Sequence, residues 1–159
     1  MWYKVQESGS LWGEIMFMGE YHHSIDAKGR LIIPSKLRDD LGENFIVTRG
    51  LDGCLFLYPR EHWNTIINKY QQLPDTKDKR QFLRIFLSGA TTCEYDKQGR
   101  INIPKPLIDY ADLNKDCIII GVDEKLEIWS KERWEQFISD NEENMSEIAD
   151  SLFASISNV

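Results

Sequence analysis

Two short segments of this chain carry the residue types that hold an anion. Asp26-Ala27-Lys28-Gly29-Arg30 returns later as Asp96-Lys97-Gln98-Gly99-Arg100. An arginine on a stiff turn can offer its forked donors to phosphate oxygens or to the edge of a guanine. Lys28 and Lys97 add positive charge beside it. The Asp four residues ahead can hold the guanidinium in place, and it can bond the backbone of its own turn. Gly29 and Gly99 supply the positive φ that a tight turn needs. Structural and binding roles do not exclude each other, and both are assigned here. Asp26, Gly29, Asp96 and Gly99 shape the turns; Lys28, Arg30, Lys97 and Arg100 are the candidate contacts. Downstream, Lys36 and Arg38 extend the first set, whereas Lys105 follows the second with no helix arginine. In chain order the first copy is therefore the more basic.

Other chemistries find little support. His22 and His23 are adjacent on a predicted strand, point to opposite faces and cannot chelate together. His62 aligns with Arg133, so the repeat does not keep it. No Ser, Cys or Lys sits in an elbow motif. Cys54, Cys93 and Cys117 lack C-x-x-C spacing and are odd in number, as suits small core residues of a reduced protein. Trp63 and Trp134 occupy equivalent helix positions and read as core anchors rather than stackers of bases. The expectation is a binding protein with no catalytic residue, metal, cofactor or small-molecule substrate.

The elements that position these turns are themselves duplicated. At a shift of 70, Asp26/Asp96, Gly29/Gly99, Arg30/Arg100, Leu31/Ile101, Ile33/Ile103, Pro34/Pro104 and Leu37/Leu107 match. After one inserted residue, Gly50/Gly121, Asp52/Asp123, Leu57/Ile128, Tyr58/Trp129 and Trp63/Trp134 continue the series. Each unit predicts a strand, the Asp-to-Gly turn, a second strand ("RLIIP" or "RINIP"), a short helix opened by proline, and a hairpin. The order is β-β-α-β-β, twice. A helix follows each unit, with Trp63, Ile66, Ile67 and Tyr70 on one apolar stripe and Trp134, Phe137 and Ile138 on the other. A unit this small buries little apolar surface alone. Two units that interleave their hairpins can share one barrel-like core, which is a physical reason for the duplication.

The 159 residues then divide into a first unit over 16–73 (core 20–63), a connecting helix over 74–88, a second unit over 89–138 (core 89–134) and an acidic tail over 139–159. Residues 1–15 have no counterpart before the second unit. They are expected to be an extension from an upstream start, outside the fold, which N-terminal mass spectrometry of the native protein would test. The tail is expected to be mobile or loosely docked, with Met145, Ile148 and Leu152 in a weak amphipathic stretch. The net charge of -7 resides mainly there: Glu135 to Val159 holds six acids and no base, while Met16 to Arg80 holds ten bases and nine acids. A body so close to neutral can present a basic face, so the overall acidity does not exclude DNA. No apolar run is long enough to span a bilayer, and the first fifteen residues lack the pattern of a secretion signal.

The paired segments "DAKGRLIIPSKL" and "DKQGRINIPKPL", each followed by the hairpin "RGLDGCLFLY" or "IGVDEKLEIW" and then by Trp, resemble the MraZ family of the AbrB/MazE/SpoVT superfamily. The resemblance covers Met16 to about Ser157. It implies an α+β fold in which tandem β-β-α-β-β repeats form an AbrB-like double-psi, swapped-hairpin β-barrel with flanking helices. It implies a bacterial transcriptional repressor of the division and cell-wall gene cluster, cytoplasmic and nucleoid-associated. The expected partners are double-stranded promoter DNA, read at short direct repeats, and further copies of the chain in a ring. The family's D-x-x-x-R motifs fall on Asp26 and Arg30 and on Asp96 and Arg100, the first copy being the one more clearly tied to DNA. An antitoxin of the same superfamily is the second class considered, because such proteins pair a swapped-hairpin domain with a flexible acidic tail. Fused tandem units and a tail with few apolar anchors count against it.

Overall fold

The computed structural model describes residues 16–157, so the extension expected over 1–15 lies outside the described residues. The first unit contains β1 (Glu20–Ser24), β2 (Arg30–Ile32), α1 (Ser35–Leu41), β3 (Phe45–Arg49) and β4 (Leu55–Tyr58), followed by α2 (Arg60–Gln71) and α3 (Lys77–Ser88). The second contains β5 (Thr91–Cys93), β6 (Arg100–Asn102), α4 (Lys105–Ala111), β7 (Asp116–Val122) and β8 (Lys125–Ser130), followed by α5 (Lys131–Asn141). The predicted β-β-α-β-β order occurs twice. Local chemistry sets the boundaries. Pro34 and Pro104 stand immediately before α1 and α4 in extended conformation, and their missing N–H costs a helix start nothing. Gly42, at φ 81°, ends α1. The hairpins turn at Asp52 and Asp123, both in the left-handed region.

The strands do not stay within their own units. A six-stranded antiparallel sheet runs β1-β7-β8-β4-β3-β5, so β1 of the first unit pairs with β7 of the second, and β5 of the second with β3 of the first. The hairpins β3-β4 and β7-β8 meet at the centre, where Leu55 faces Ile128 and Leu57 faces Leu126. Separately, β2 and β6 form a two-stranded antiparallel ribbon with Leu31 opposite Ile101. A bridge from Ile25 to Leu31 ties the end of β1 to the ribbon. This exchange is what interleaved hairpins require, and the α+β arrangement is consistent with a swapped-hairpin fold.

Both faces of the large sheet are covered, which is why β3 and β4 bury successive residues rather than alternate ones. On one face, Leu31, Ile33, Leu37 and Leu41 of the first unit meet Ile101, Ile103, Leu107 and Ala111 of the second, with Phe45, Val47, Leu57 and Ile119 beneath. That shared core is the physical product of the duplication. On the other face lies an aromatic layer. Trp63 of α2 stacks on Phe86 of α3 at 5.3 Å, and Trp134 of α5 stacks on Phe137 at 5.4 Å beside Trp129. Both tryptophans are therefore packed anchors. Thr76 caps α3 by accepting from Lys79 N–H, while Lys79 Nζ reaches the carbonyls of Gln71 and Leu73 and closes the α2–α3 corner. Leu87, expected on the apolar side of α3, is exposed. The tail continues from α5 through a 3₁₀ turn (Glu142–Asn144) into α6 (Met145–Ser157), with Met145, Ile148, Leu152 and Ile156 at the surface.

Candidate nucleic-acid interface

The two Asp-to-Arg turns are near copies of each other. In the first, Asp26 Oδ1 accepts from the N–H groups of Lys28 and Arg30 at 3.0 and 2.9 Å, and Oδ2 accepts from Arg30 Nε at 2.7 Å. In the second, Asp96 Oδ1 accepts from Gln98 and Arg100 N–H at 2.8 and 2.9 Å, and Oδ2 from Arg100 Nε at 2.7 Å. Backbone bonds close each loop, from Gly29 N–H to Asp26 and from Gly99 N–H to Asp96. Gly29 and Gly99 take φ of 81° and 77°. Stabilising the carboxylate in this way lowers the pKa of both aspartates, chiefly through the N–H of Arg30 and of Arg100. Each Asp therefore stays charged and fixes the Nε edge of its guanidinium, while the arginine side chains remain partly exposed.

The exchanged ribbon brings the two turns to one surface. Residues two apart on a strand share a face, so Arg30 and Ile32 project with Arg100 and Asn102 while Leu31 and Ile101 point into the core. Arg30 faces Asn102 across the ribbon and Ile32 faces Arg100. The two arginines are therefore diagonal neighbours, with Cα atoms about 7–8 Å apart. Arg100 Nη1 also lies 4.0 Å from Asp26 Oδ2, an ion pair between units. Lys28 and Lys97 are exposed at the two turns. Asn102 is a polar member of this face that is missing from the sequence-based candidates, although the alternation in "RIN" signals it.

Downstream cations are distributed differently from their order in the chain. Ile33 N–H bonds the carbonyl of Gly99 at 3.1 Å, and Ile103 N–H bonds that of Gly29 at 2.8 Å. Each strand thus ends beside the other unit's turn, and the helix that follows starts there. A Cβ built on Gly99 would fall 2.0 Å from Arg38 Nη1, so this guanidinium lies directly on the second turn. Its counterpart over Gly29 is Ile108, whose Cδ1 would be 3.0 Å from such a Cβ. Grouping Arg38 with the first motif, and with it the greater basicity of the first copy, does not survive the exchange of strands. Lys36, exposed on α1, belongs to the same helix, whereas Lys105 on α4 pairs with Asp109.

Elsewhere the chemistry is quiet. Burial pushes the Cys93 and Cys117 thiols up to about 11 and raises Cys54 as well, so all three stay protonated, free and unreactive. His22 bonds Glu20 at 2.7 Å, and His62 Nδ1 donates to the carbonyl of Glu124 at 2.6 Å. Among the described residues no group of His, Cys, Asp or Glu could hold a metal, and no helix is long and apolar enough to cross a membrane.

Comparison with known proteins adds two findings. The family model described as "MraZ protein, putative antitoxin-like" matches this chain twice, over residues 16–85 and again over 86–156. A curated relative named "Transcriptional regulator MraZ", from Ligilactobacillus salivarius (strain UCC118), is 58% identical over 138 residues, spanning 86% of this chain and 96% of that protein.

Proposed function

The chain belongs to the MraZ family, and from that premise we propose that it is a DNA-binding transcriptional regulator and not an enzyme. It acts as a sequence-specific repressor on promoter direct repeats upstream of the division and cell-wall gene cluster. The observation that carries this reading is the outward face of the β2–β6 ribbon. There Arg30 and Arg100 sit side by side, each aimed by its own Asp, with Lys28 and Lys97 at the flanking turns. Guanidiniums fixed on a stiff ribbon suit a phosphate backbone and the edges of its bases.

One ribbon contributes few cations and would bind weakly. Several copies in a ring, aligned with repeated sites on one DNA, gain through effective concentration. Occupancy of the promoter then blocks transcription, in the cytoplasm at the nucleoid. The test is fluorescence anisotropy on DNA from upstream of the gene against a shuffled duplex, at two salt concentrations, with Arg30→Ala and Arg100→Ala in parallel. The expected result is preference for the native repeats, abolished in Arg30→Ala while assembly persists. Removing one cation from a phosphate should reduce the salt slope by about one. Equal, weak binding to both duplexes, unchanged by Arg30→Ala, would return these turns to a purely structural role and direct attention to a protein partner for the acidic tail.

A further inference from the structure

We infer that Arg38 binds a DNA phosphate at the second hairpin, delivered across the unit boundary by the exchange of β2 and β6. This rests on the DNA-binding reading above and names a residue that completes it. The guanidinium lies against the backbone of Gly99, where a Cβ would sit 2.0 Å from Nη1 and 2.6 Å from Cζ. Only a glycine leaves it that space. Arg38 is half-buried, and its Nε is buried without a hydrogen-bond partner. It has no ion pair among the described residues, whereas Arg30 and Arg100 are each fixed by an aspartate at 2.7 Å.

Tyr95, whose hydroxyl is also buried and unpartnered, lines the same open cavity with Lys97 and Gly99. The two unsatisfied buried side-chain atoms found among the described residues thus gather at one turn. An arginine that makes no ion pair among the described residues, with a buried and unbonded Nε, retains its donors for an external anion. Asp39, Glu43 and Asp96 also line this cavity. Asp96 is committed to Arg100, and the other two disfavour a small mobile anion. They matter less to a polyanion already held by Arg100 and Lys97. The occupant is accordingly a backbone phosphate of the DNA lying along the ribbon. At the first turn Ile108 occupies the matching position and offers no such charge.

Full-length protein carrying Arg38→Gln or Arg38→Ile, the latter copying the Ile108 side, is titrated with promoter and shuffled duplexes over a KCl series. Both variants should weaken binding to the two duplexes alike, by roughly tenfold, and should reduce the salt slope by about one. Arg38→Lys should recover the slope and only part of the affinity, because charge returns without the fork. Wild-type slope and affinity in a folded Arg38→Gln variant would overturn the inference and leave Arg38 a structural cover of Gly99. The proposed function fails differently, by a wild type that shows no preference for promoter DNA. Because binding to a phosphate is blind to sequence, the slope on shuffled DNA still decides the role of Arg38 in that case.

Discussion

The two Asp-to-Arg turns differ by no more than 0.2 Å in their matched Asp hydrogen bonds, yet one is covered by an arginine and the other by an isoleucine. Inside a turn, the Asp, Gly and Arg are each bound to backbone of the same loop, so each copy must retain them to form. The covering residue, Arg38 or Ile108, packs on the turn of the opposite unit. Only its backbone is bonded within its own unit, which any residue type can supply, so the two copies are free to diverge in the side chain there. A duplication therefore keeps what local geometry demands and specialises where one half touches the other. The trailing helices show the same freedom. Buried Ile66 and the stacked Trp63 seat α2 under α3, whereas α5 buries no residue and leads on into α6.

The comparison is broken most forcefully at the shared core. Leu31 and Ile101 are both fully buried and face each other across the ribbon. Leu31→Ala and Ile101→Ala should each cost about 2–5 kcal/mol, read as a fall in urea midpoint. If the units form one cooperative structure, the double variant should be destabilised measurably less than the two single variants combined, because both cavities open on the same space. Strict additivity, or two separate unfolding transitions, would mean that the halves fold independently.

How much of this is legible in the sequence follows from the same distinction. The β-β-α-β-β order, the helix starts at Pro34 and Pro104 and the turn residues are local, and the period-2 and proline signals reach them. Interleaving can be argued from the size of the unit. The neighbour that exchange gives each side chain cannot, because it depends on β2 meeting β6 in register. Chain order accordingly groups Arg38 with the motif it follows, although it lies on the other turn. Tyr95 escapes a reading of the chain for the same reason, whereas Asn102 is signalled by the alternation in "RIN". The apolar side of α3 misleads at Leu87, which has the right spacing for burial but is exposed.

A smaller effect sharpens the comparison at the two glycines. Both have positive φ, so an alanine at either should cost about 1–3 kcal/mol. The obstructions differ. At Gly29 a Cβ would meet the carbonyl oxygen of Ile103 at 2.9 Å, a backbone atom just past the end of β6 in a residue whose N–H is bonded to Gly29, so it cannot yield easily. At Gly99 it would meet the end of Arg38, which can swing into solvent. Gly29→Ala should therefore show the larger drop in stability in thermal or urea unfolding. Gly99→Ala should show the larger drop in DNA affinity, since it displaces the arginine while the fold survives. Equal drops in both measurements would mean that the cover makes no difference.

The smallest expected effect concerns the aspartates, and its sign follows from the direction of their shifts. Asp26 and Asp96 titrate below their ordinary 3.8 in the folded chain. Their contribution is present above that value and is lost as the pH falls below it through the lowered one. Asp40 and Glu127 are shifted upward by burial, so their effect has the opposite sign: acidification relieves the cost of holding them charged. Wild-type stability alone mixes the two. The difference between wild type and Asp26→Asn or Asp96→Asn, followed by urea unfolding down the acid limb, isolates the turn. Each difference should shrink on acidification as wild type approaches its variant. The Asp26 difference should be somewhat the larger, because Arg100 Nη1 at 4.0 Å gives that carboxylate a second cation, whereas among the described residues Asp96 pairs with Arg100 alone. Identical differences would mean that the inter-unit pair adds nothing, and a difference that grows with acid would contradict the assigned direction outright.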